Sequence, residues 1–320
     1  MTRLHSAASD IVLLTGASGR LGQQLGGYLK TRGFKLRALV KNDQAVSDHF
    51  EAKLEWRVAQ TDSAAVDALL EGVASVVHLA SSGVGDEQAQ RDAHLGMPGL
   101  LLEAAARSSV SRFIALSSIK AIAGEASEQA LGLAAKPAPT SDYGRFKLRA
   151  ETLLREHAAN AGLATFTLRL PMVYGPGASG NFSMLRKAAR LRLPLPVATD
   201  NQRSVLFSEN LFAGITHLLS EPQAPGHKLV HLADGAAIST KLFFQLIAAA
   251  EGSRGWSVTL PGRWGQSVAS IPLLGGVVGG VAERLLGSLR FEQDSLNHID
   301  GWEIPYTTAE GIRAAINPDA

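Results

Sequence analysis

Short apolar runs closed by turn residues recur along this chain, and between them lie segments whose apolar positions repeat every three to four residues. Residues 11–14 (IVLL) are the first run, ending at Thr15-Gly16, and 21–30 then reads as a helix closed by Gly33. Residues 35–40 (KLRALV), 75–80 (SVVHLA) and 112–118 (RFIALSS) are further strands, with helices over 64–70 and about 97–107. Residues 143–159 form a strongly amphipathic helix, and 165–175 (TFTLRLPMVYG) a strand followed by a loop. Short apolar runs of this kind suit buried parallel strands. Strict alternation of strand and helix predicts a doubly wound α/β fold, a parallel sheet covered on both faces with ligands at the carboxyl ends of its strands. Beyond Pro176 the alternation decays. Residues 182–193 and 209–219 read as helices, 228–234 as one more strand, and the rest is rich in Gly and Pro. The expected organisation is a first domain over 1–175 with a returning segment at about 205–235, and a smaller, interleaved lobe from 176–204 and 236–320.

Composition narrows the function classes. The 320 residues are 46% apolar, enough for a sizeable core, and a net charge of +2 asks for neither nucleic acid nor an anionic surface. Without cysteine, disulfides, thiolate nucleophiles and Cys-ligated metals are excluded, and no metal site is expected. MTRLHSAASD lacks the apolar core of a secretory signal, so a cytoplasmic protein is expected. Residues 264–282 carry no charge, a length that can span a bilayer. Gln266, Ser267, Ser270, Pro272 and several glycines interrupt that stretch, which therefore reads as a soluble helix pair, with peripheral membrane contact as the alternative.

The segment TGASGRLG (15–22) follows a strand and opens a helix, the context in which a glycine triplet cradles a dinucleotide. Gly16 permits the tight turn, Gly19 lets the backbone approach the pyrophosphate, and Gly22 lets the helix pack on the sheet. The helix N-terminus adds free N–H groups and a partial positive charge. Proteins that prefer NAD usually place an acid after the second strand to hold the ribose 2′-OH. Here the chain reads Leu39-Val40-Lys41-Asn42, and Lys41, with Arg37 or Arg20, could accept a 2′-phosphate. NADP is the preferred cofactor on this reading, and Asp43 keeps NAD as the alternative.

Tyr143 and Lys147 are four residues apart at the start of a helix and so share one face. A free phenol, with a pKa of about 10, is a poor base at neutral pH. A nearby ammonium stabilises the phenolate, and Tyr143 can then exchange a proton with a substrate hydroxyl or ketone. Ser117-Ser118 ends the preceding strand, where a hydroxyl can hydrogen-bond the same substrate oxygen.

These motifs resemble the extended short-chain dehydrogenases/reductases, within the NAD-dependent epimerase/dehydratase family. TGASGRLG, HLAS (78–81), SSIK (117–120), YGRFK (143–147), RLPMVYGPG (169–177), GNFSML (180–185), NQRSVLFSENL (201–211) and HLADG (231–235) carry the resemblance over most of the chain. It implies a Rossmann-type nucleotide domain with Ser118, Tyr143 and Lys147 as the catalytic set. It implies cofactor contacts from Gly16, Ser18, Gly19, Arg20, Leu21, Gly22, Lys41, Leu79, Ala80, Ser81, Ser117, Tyr143, Lys147 and Pro171. Substrate contacts fall on Ser118, Asn181, Arg203 and Arg290, the two arginines pairing with diphosphate oxygens. Ala59 stands where the family places an Asp near the adenine, and His94 where a helix Asn is common.

Dehydratases of the family carry an Asp-Glu pair beside the catalytic serine position; this chain has Ile119 and Lys120, which disfavours dehydration. The remaining pattern resembles UDP-sugar 4-epimerases and 4-keto reductases, and the missing acid after the second strand leans towards the reductase. The resemblance also implies a homodimer built on the helix carrying Tyr143 and the long helix before it. Two other readings stay open: a dinucleotide-binding redox sensor without turnover, and a reductase of a non-sugar ketone.

Overall fold

The apolar runs become strands and the amphipathic segments become helices. This computed structural model describes residues 11–41, 45–56, 63–80, 87–198, 200–260 and 285–318. Asp43, Ala59, Ser81 and the 264–282 segment lie outside the described residues, as does the side chain of Lys41. In chain order the first elements are β1 (Ile11–Thr15), α1 (Arg20–Lys30), β2 (Lys35–Lys41), β3 (Ala52–Trp56), α2 (Ser63–Leu69) and β4 (Val73–His78). Then come α3 (Glu87–Arg91), a π turn (Asp92–Gly96), α4 (Met97–Ala105), β5 (Arg112–Ser118), a 3-10 turn (Ile119–Ala121) and α5 (Asp142–Ala161). The chain continues through β6 (Ala164–Leu170), β7 (Met172–Tyr174), α6 (Asn181–Arg190), β8 (Leu195–Ala198), β9 (Val205–Phe207) and α7 (Ser208–Ser220). The last elements are β10 (Gly226–His231), α8 (Thr240–Ala250), β11 (Ser257–Leu260) and α9 (Thr308–Ile316).

Seven strands form one sheet in the order β10-β6-β5-β4-β1-β2-β3. From β1 the chain winds outward to β2 and β3, then returns to the other side of β1 for β4, β5, β6 and β10. β1 is parallel to both neighbours, with Thr15 opposite Leu39 on one side and His78 on the other. This reversal between β1 and β4 opens a crevice at their carboxyl ends, the place where doubly wound sheets bind ligands.

Several boundaries differ from the sequence expectation for physical reasons. Strand β4 stops at His78, so Leu79 and Ala80 leave the sheet at the crevice. The expected strand over 165–175 divides at Pro171, which has no N–H to give a ladder: β6 joins the large sheet, and β7 pairs with β9 in a separate two-stranded sheet. Among the described elements, β3, α3, β8, β9, α8, β11 and α9 were not expected. β3 (AKLEW) is a short edge strand. α8 starts at the N-cap Ser239, which accepts from Leu242 N–H at 3.1 Å, and α9 at a Thr307–Glu310 capping box.

The chain forms two compact units. The first comprises Met1–Ser117, Phe146–Leu168 and Ile215–Leu229. Its core joins Leu13, Val76 and Phe113 of the strands to Leu101, Leu102 and Leu154 of the helices. Each such side chain, fully buried, contributes about 1.5–3 kcal/mol. The second comprises Ser118–Arg145, Arg169–Gly214 and Val230–Ala320. Its core is aromatic: the ring of Tyr174 lies 5.4 Å from Phe182, 5.6 Å from Phe207 and 5.4 Å from Phe243. α9 presses onto this cluster at Gly311, where a Cβ would stand 2.6 Å from Tyr174 Oη and 2.8 Å from the Phe207 ring. Among the described residues no helix is long and apolar enough to cross a membrane.

Candidate active site

In the first unit the glycine loop is shaped by contacts that admit no side chain. Gly16 has φ +68°, and a Cβ there would meet Ala80 N at 2.8 Å. A Cβ on Gly22 would stand 2.3 Å from Gly16 O, so α1 lies directly against its own entry turn. Gly19 is exposed, donates to Gly16 O at 3.1 Å and caps α1, whose first turn holds no acid. Open backbone at a helix start, with no carboxylate to repel phosphate, fits a dinucleotide pyrophosphate. The crevice floor is fastened by Thr15: its Oγ1 is 2.9 Å from His78 Nδ1 and accepts from Ala80 N–H at 3.2 Å. Ser18 and Leu21 flank the open turn, half-buried. Arg20 bonds Gln24 at 3.2 Å, and partial burial pulls its pKa down. Arg37 is committed elsewhere, donating to Leu69 O and Glu71 O at the end of α2.

The same unit holds the middle of α5. Lys147 is buried, and its Nζ donates to Leu116 O at 2.8 Å. Burial pulls its pKa down to about 8, and the charge of Glu151 opposes that fall. Ser117 Oγ donates to Glu151 Oε1 at 2.5 Å, so the Ser117 side chain faces inward and only its backbone is left for a cofactor. His94, in the π turn, is buried and stacks on Phe146 at 6.1 Å.

The second unit holds Ser118 and Tyr143. Ser118 Oγ accepts from Lys120 N–H at 3.2 Å and caps the 3-10 turn, which leaves its hydroxyl proton to donate. α5 begins under a Ser141 cap, Gly144 N–H donating to Ser141 Oγ at 3.1 Å. Gly144 itself is pressed on the turn after Ser118: a Cβ there would stand 2.2 Å from Lys120 O. The first turn of α5, with half-buried Tyr143, is thereby set against the Ser118 turn. A glycine inside a helix costs about 1 kcal/mol relative to alanine, so Gly144 between Tyr143 and Lys147 was a signal for close approach that the sequence reading passed over. Glu151 was legible too, one turn past Lys147 on the face that must be buried.

The expected substrate residues also lie in this unit. Asn181 is the first residue of α6, after Gly180 at φ +70°. Arg203 donates to Gly287 O at 2.9 Å and to Glu125 O at 3.4 Å, and Arg290 to Glu128 O at 3.4 Å. Both guanidinium groups thus brace the backbone walls of one cavity of about 850 Å³, lined in part by Glu125, Glu128, Lys136, Asp200 and Asn201. Glu125 is paired with Lys120 at 2.5 Å. Pro171 separates β6 from β7.

A doubly wound sheet with a glycine loop at its switch point, a strand-end serine and a Tyr-x-x-x-Lys helix defines an enzyme of the extended short-chain dehydrogenase/reductase type. A profile of the NAD-dependent epimerase/dehydratase family matches residues 12–232, more than half of the chain, and the chain belongs to that family. The UDP-glucose 4-epimerase of Vibrio cholerae is 28% identical over 316 residues, 94% of this chain and 93% of that protein. A ceramide reductase of Caulobacter vibrioides is 29% identical over 200 residues, 61% of this chain and 56% of that protein. Among solved structures, the Bordetella bronchiseptica enzyme WbmG in complex with NAD superposes with a TM-score of 0.75 at 18% identity, covering 98% of this chain and 94% of that one.

Proposed function

We propose that this enzyme moves a hydride at the 4-position of a UDP-linked hexose, as a 4-epimerase or a 4-keto reductase. The observation that carries the reading is the contact of Gly144 with Lys120 O, which sets the turn bearing Tyr143 against the turn capped by Ser118. Gly16, Gly19 and Gly22 hold the dinucleotide pyrophosphate. The dinucleotide, when bound, supplies the acceptor and donor of the hydride. Tyr143 Oη takes the proton of the substrate 4-hydroxyl as the hydride leaves C4, and returns it when a hydride is given back. Ser118 donates a hydrogen bond to the same oxygen. The Lys147 ammonium keeps Tyr143 acidic enough to act near neutral pH. Asn181, Arg203 and Arg290 line the route of the nucleotide. The relative from Vibrio cholerae supports the sugar-nucleotide reading over nearly its whole length. Lys41 supports NADP from sequence alone, whereas the WbmG structure contains NAD, so NAD is the first cofactor to test.

A second reading, a reductase of a non-sugar ketone, has two supports. One is the ceramide reductase relative. The other is the cavity lining, where Glu128 and Asp200 would repel a diphosphate. The two readings separate in one experiment. The protein is incubated with a panel of UDP-hexoses and UDP-4-keto sugars, with NAD(H) and NADP(H). Interconversion of 4-epimers without net change in reduced-cofactor absorbance identifies an epimerase, and steady loss of that absorbance with a keto sugar identifies a reductase. No turnover of any UDP-sugar, with turnover of a long-chain ketone, overturns the sugar reading.

A further inference from the structure

Glu151 needs an explanation that packing does not give. It is 7% exposed, and a buried carboxylate is costly unless it is paired and hydrogen-bonded. Its partners define a small cross-brace within the first unit. Ser117 Oγ donates to Glu151 at 2.5 Å, and one helical turn earlier Lys147 Nζ donates to the carbonyl of Leu116, the residue before Ser117. Two successive residues of β5 therefore grip two successive turns of α5, one through the cation and one through the anion. Other titratable groups stand on α5 and on the elements beside it. Tyr143 precedes it on α5, and His94 stacks on its neighbour Phe146 from the π turn. Arg112, at the far end of β5, bonds Leu219 O and Glu221 O.

Resting on the reading of Tyr143 as the acid/base, we propose that Glu151, clamped by Ser117, is a positioning residue that holds Lys147 in place and keeps it in its charged form. Burial works against that charge and Glu151 works for it. An opposite charge at close range moves a pKa by about one to three units. Loss of the carboxylate lets the Lys147 ammonium deprotonate at lower pH, and the acidifying influence on Tyr143 disappears with it.

The test measures the pKa of Lys147 in the intact protein by pH-dependent acetic anhydride labelling read by mass spectrometry, beside the pH profile of kcat. In Glu151→Gln the labelling pKa and the alkaline limb of kcat should both move down by about one unit or more. Glu151→Asp, which keeps the charge, should recover most of the shift, and Ser117→Ala should give a smaller shift of the same sign. A loss of kcat uniform across pH with an unmoved labelling pKa overturns the proposal. If Glu151→Gln does not fold, Glu151→Asp and Ser117→Ala carry the same comparison, and unmoved values in both overturn it. Near-normal turnover in Tyr143→Phe would instead sink the assignment of the acid/base, while the labelling pKa still judges the link between Glu151 and Lys147.

Discussion

Each compact unit contains a buried polar network, and the two are tuned differently. In the first, Ser117, Glu151, Lys147 and the Leu116 carbonyl leave a buried lysine titrating at about 8. In the second, Asp234 accepts from Tyr174 Oη at 2.6 Å, Phe207 N–H at 2.7 Å and Asn210 Nδ2 at 2.8 Å. Burial and the adjacent carboxylate push the Tyr174 phenol far above its ordinary range, and burial lifts Asp234 to about 6. Nearby, His231 is sandwiched between Ser295 Oγ at 3.0 Å and Arg169 Nη1 at 3.4 Å, and stacks on Phe291. Arg169 can only donate to Nε2, so the ring is the neutral Nδ1–H tautomer, and burial followed by the Arg169 charge holds its pKa at about 3. Burial alone therefore does not mark a working group. Tyr174 and His231 are pushed away from neutrality and frozen in one state, whereas Lys147 is drawn towards neutrality, where its charge can matter to chemistry.

Substitutions on the two networks should separate stability from turnover. Asp234→Ala takes the acceptor from Phe207 N–H and from one of the two Asn210 Nδ2 hydrogens, while Tyr174 Oη can still donate to Thr308 O. At about 1–3 kcal/mol for each orphaned donor, unfolding free energy should fall by roughly 2 kcal/mol or more. A urea melt checks this, and a loss below about 1 kcal/mol would mean that the network relaxes around the gap. Tyr143→Phe should do the reverse, lowering kcat by at least ~100-fold with little change in melting temperature or dinucleotide affinity. Equal effects of both substitutions on both readouts would erase the distinction. The pH dependence of stability is the next largest effect. His231 binds a proton at 6.5 when unfolded and only at about 3 when folded, so its contribution is lost as pH falls through that window. The slope is up to about 1.4 kcal/mol per pH unit, or about 2 kcal/mol between pH 7 and pH 5. His231→Asn should be less stable at pH 7 yet show a flatter acid dependence, and an unchanged slope would assign acid lability to other groups. The smallest effect is local: Thr307→Ala removes the capping box of α9 and should cost about 1 kcal/mol in a urea melt without touching kcat.

What was legible in the sequence divides along the same line. The glycine loop could be read because the positive φ of Gly16 and the contact of Gly22 with Gly16 O are local demands, and the Tyr143–Lys147 face because helical spacing is local. The sheet followed from strand–helix alternation alone. The second unit was read poorly because its logic is long-range. β7, β8, β9 and β11 are three or four residues each and exist only by pairing across the chain. Where Arg203 and Arg290 send their guanidinium groups is decided by carbonyls 84 and 162 residues away. No periodicity carries that information. Glu151 and Gly144 were missed for another reason: both sit inside a motif whose two named residues draw the eye past them.

The placement of Gly311 under Tyr174 has a consequence for how the chain is made. Tyr174 Oη lies 3.1 Å from the carbonyl of Thr308, 134 residues later, and Asn210 donates to Tyr306 O across 96 residues. On a ribosome adding about 5–20 residues per second, Tyr174 therefore waits on the order of ten seconds for the helix that covers it. Until the codons for α9 are read, the aromatic centre of the second unit is an open wound that a chaperone or a protease can find. A nonsense codon just ahead of α9 should thus be scored by the cell as an unfinished protein, although every proposed catalytic residue has already been synthesised.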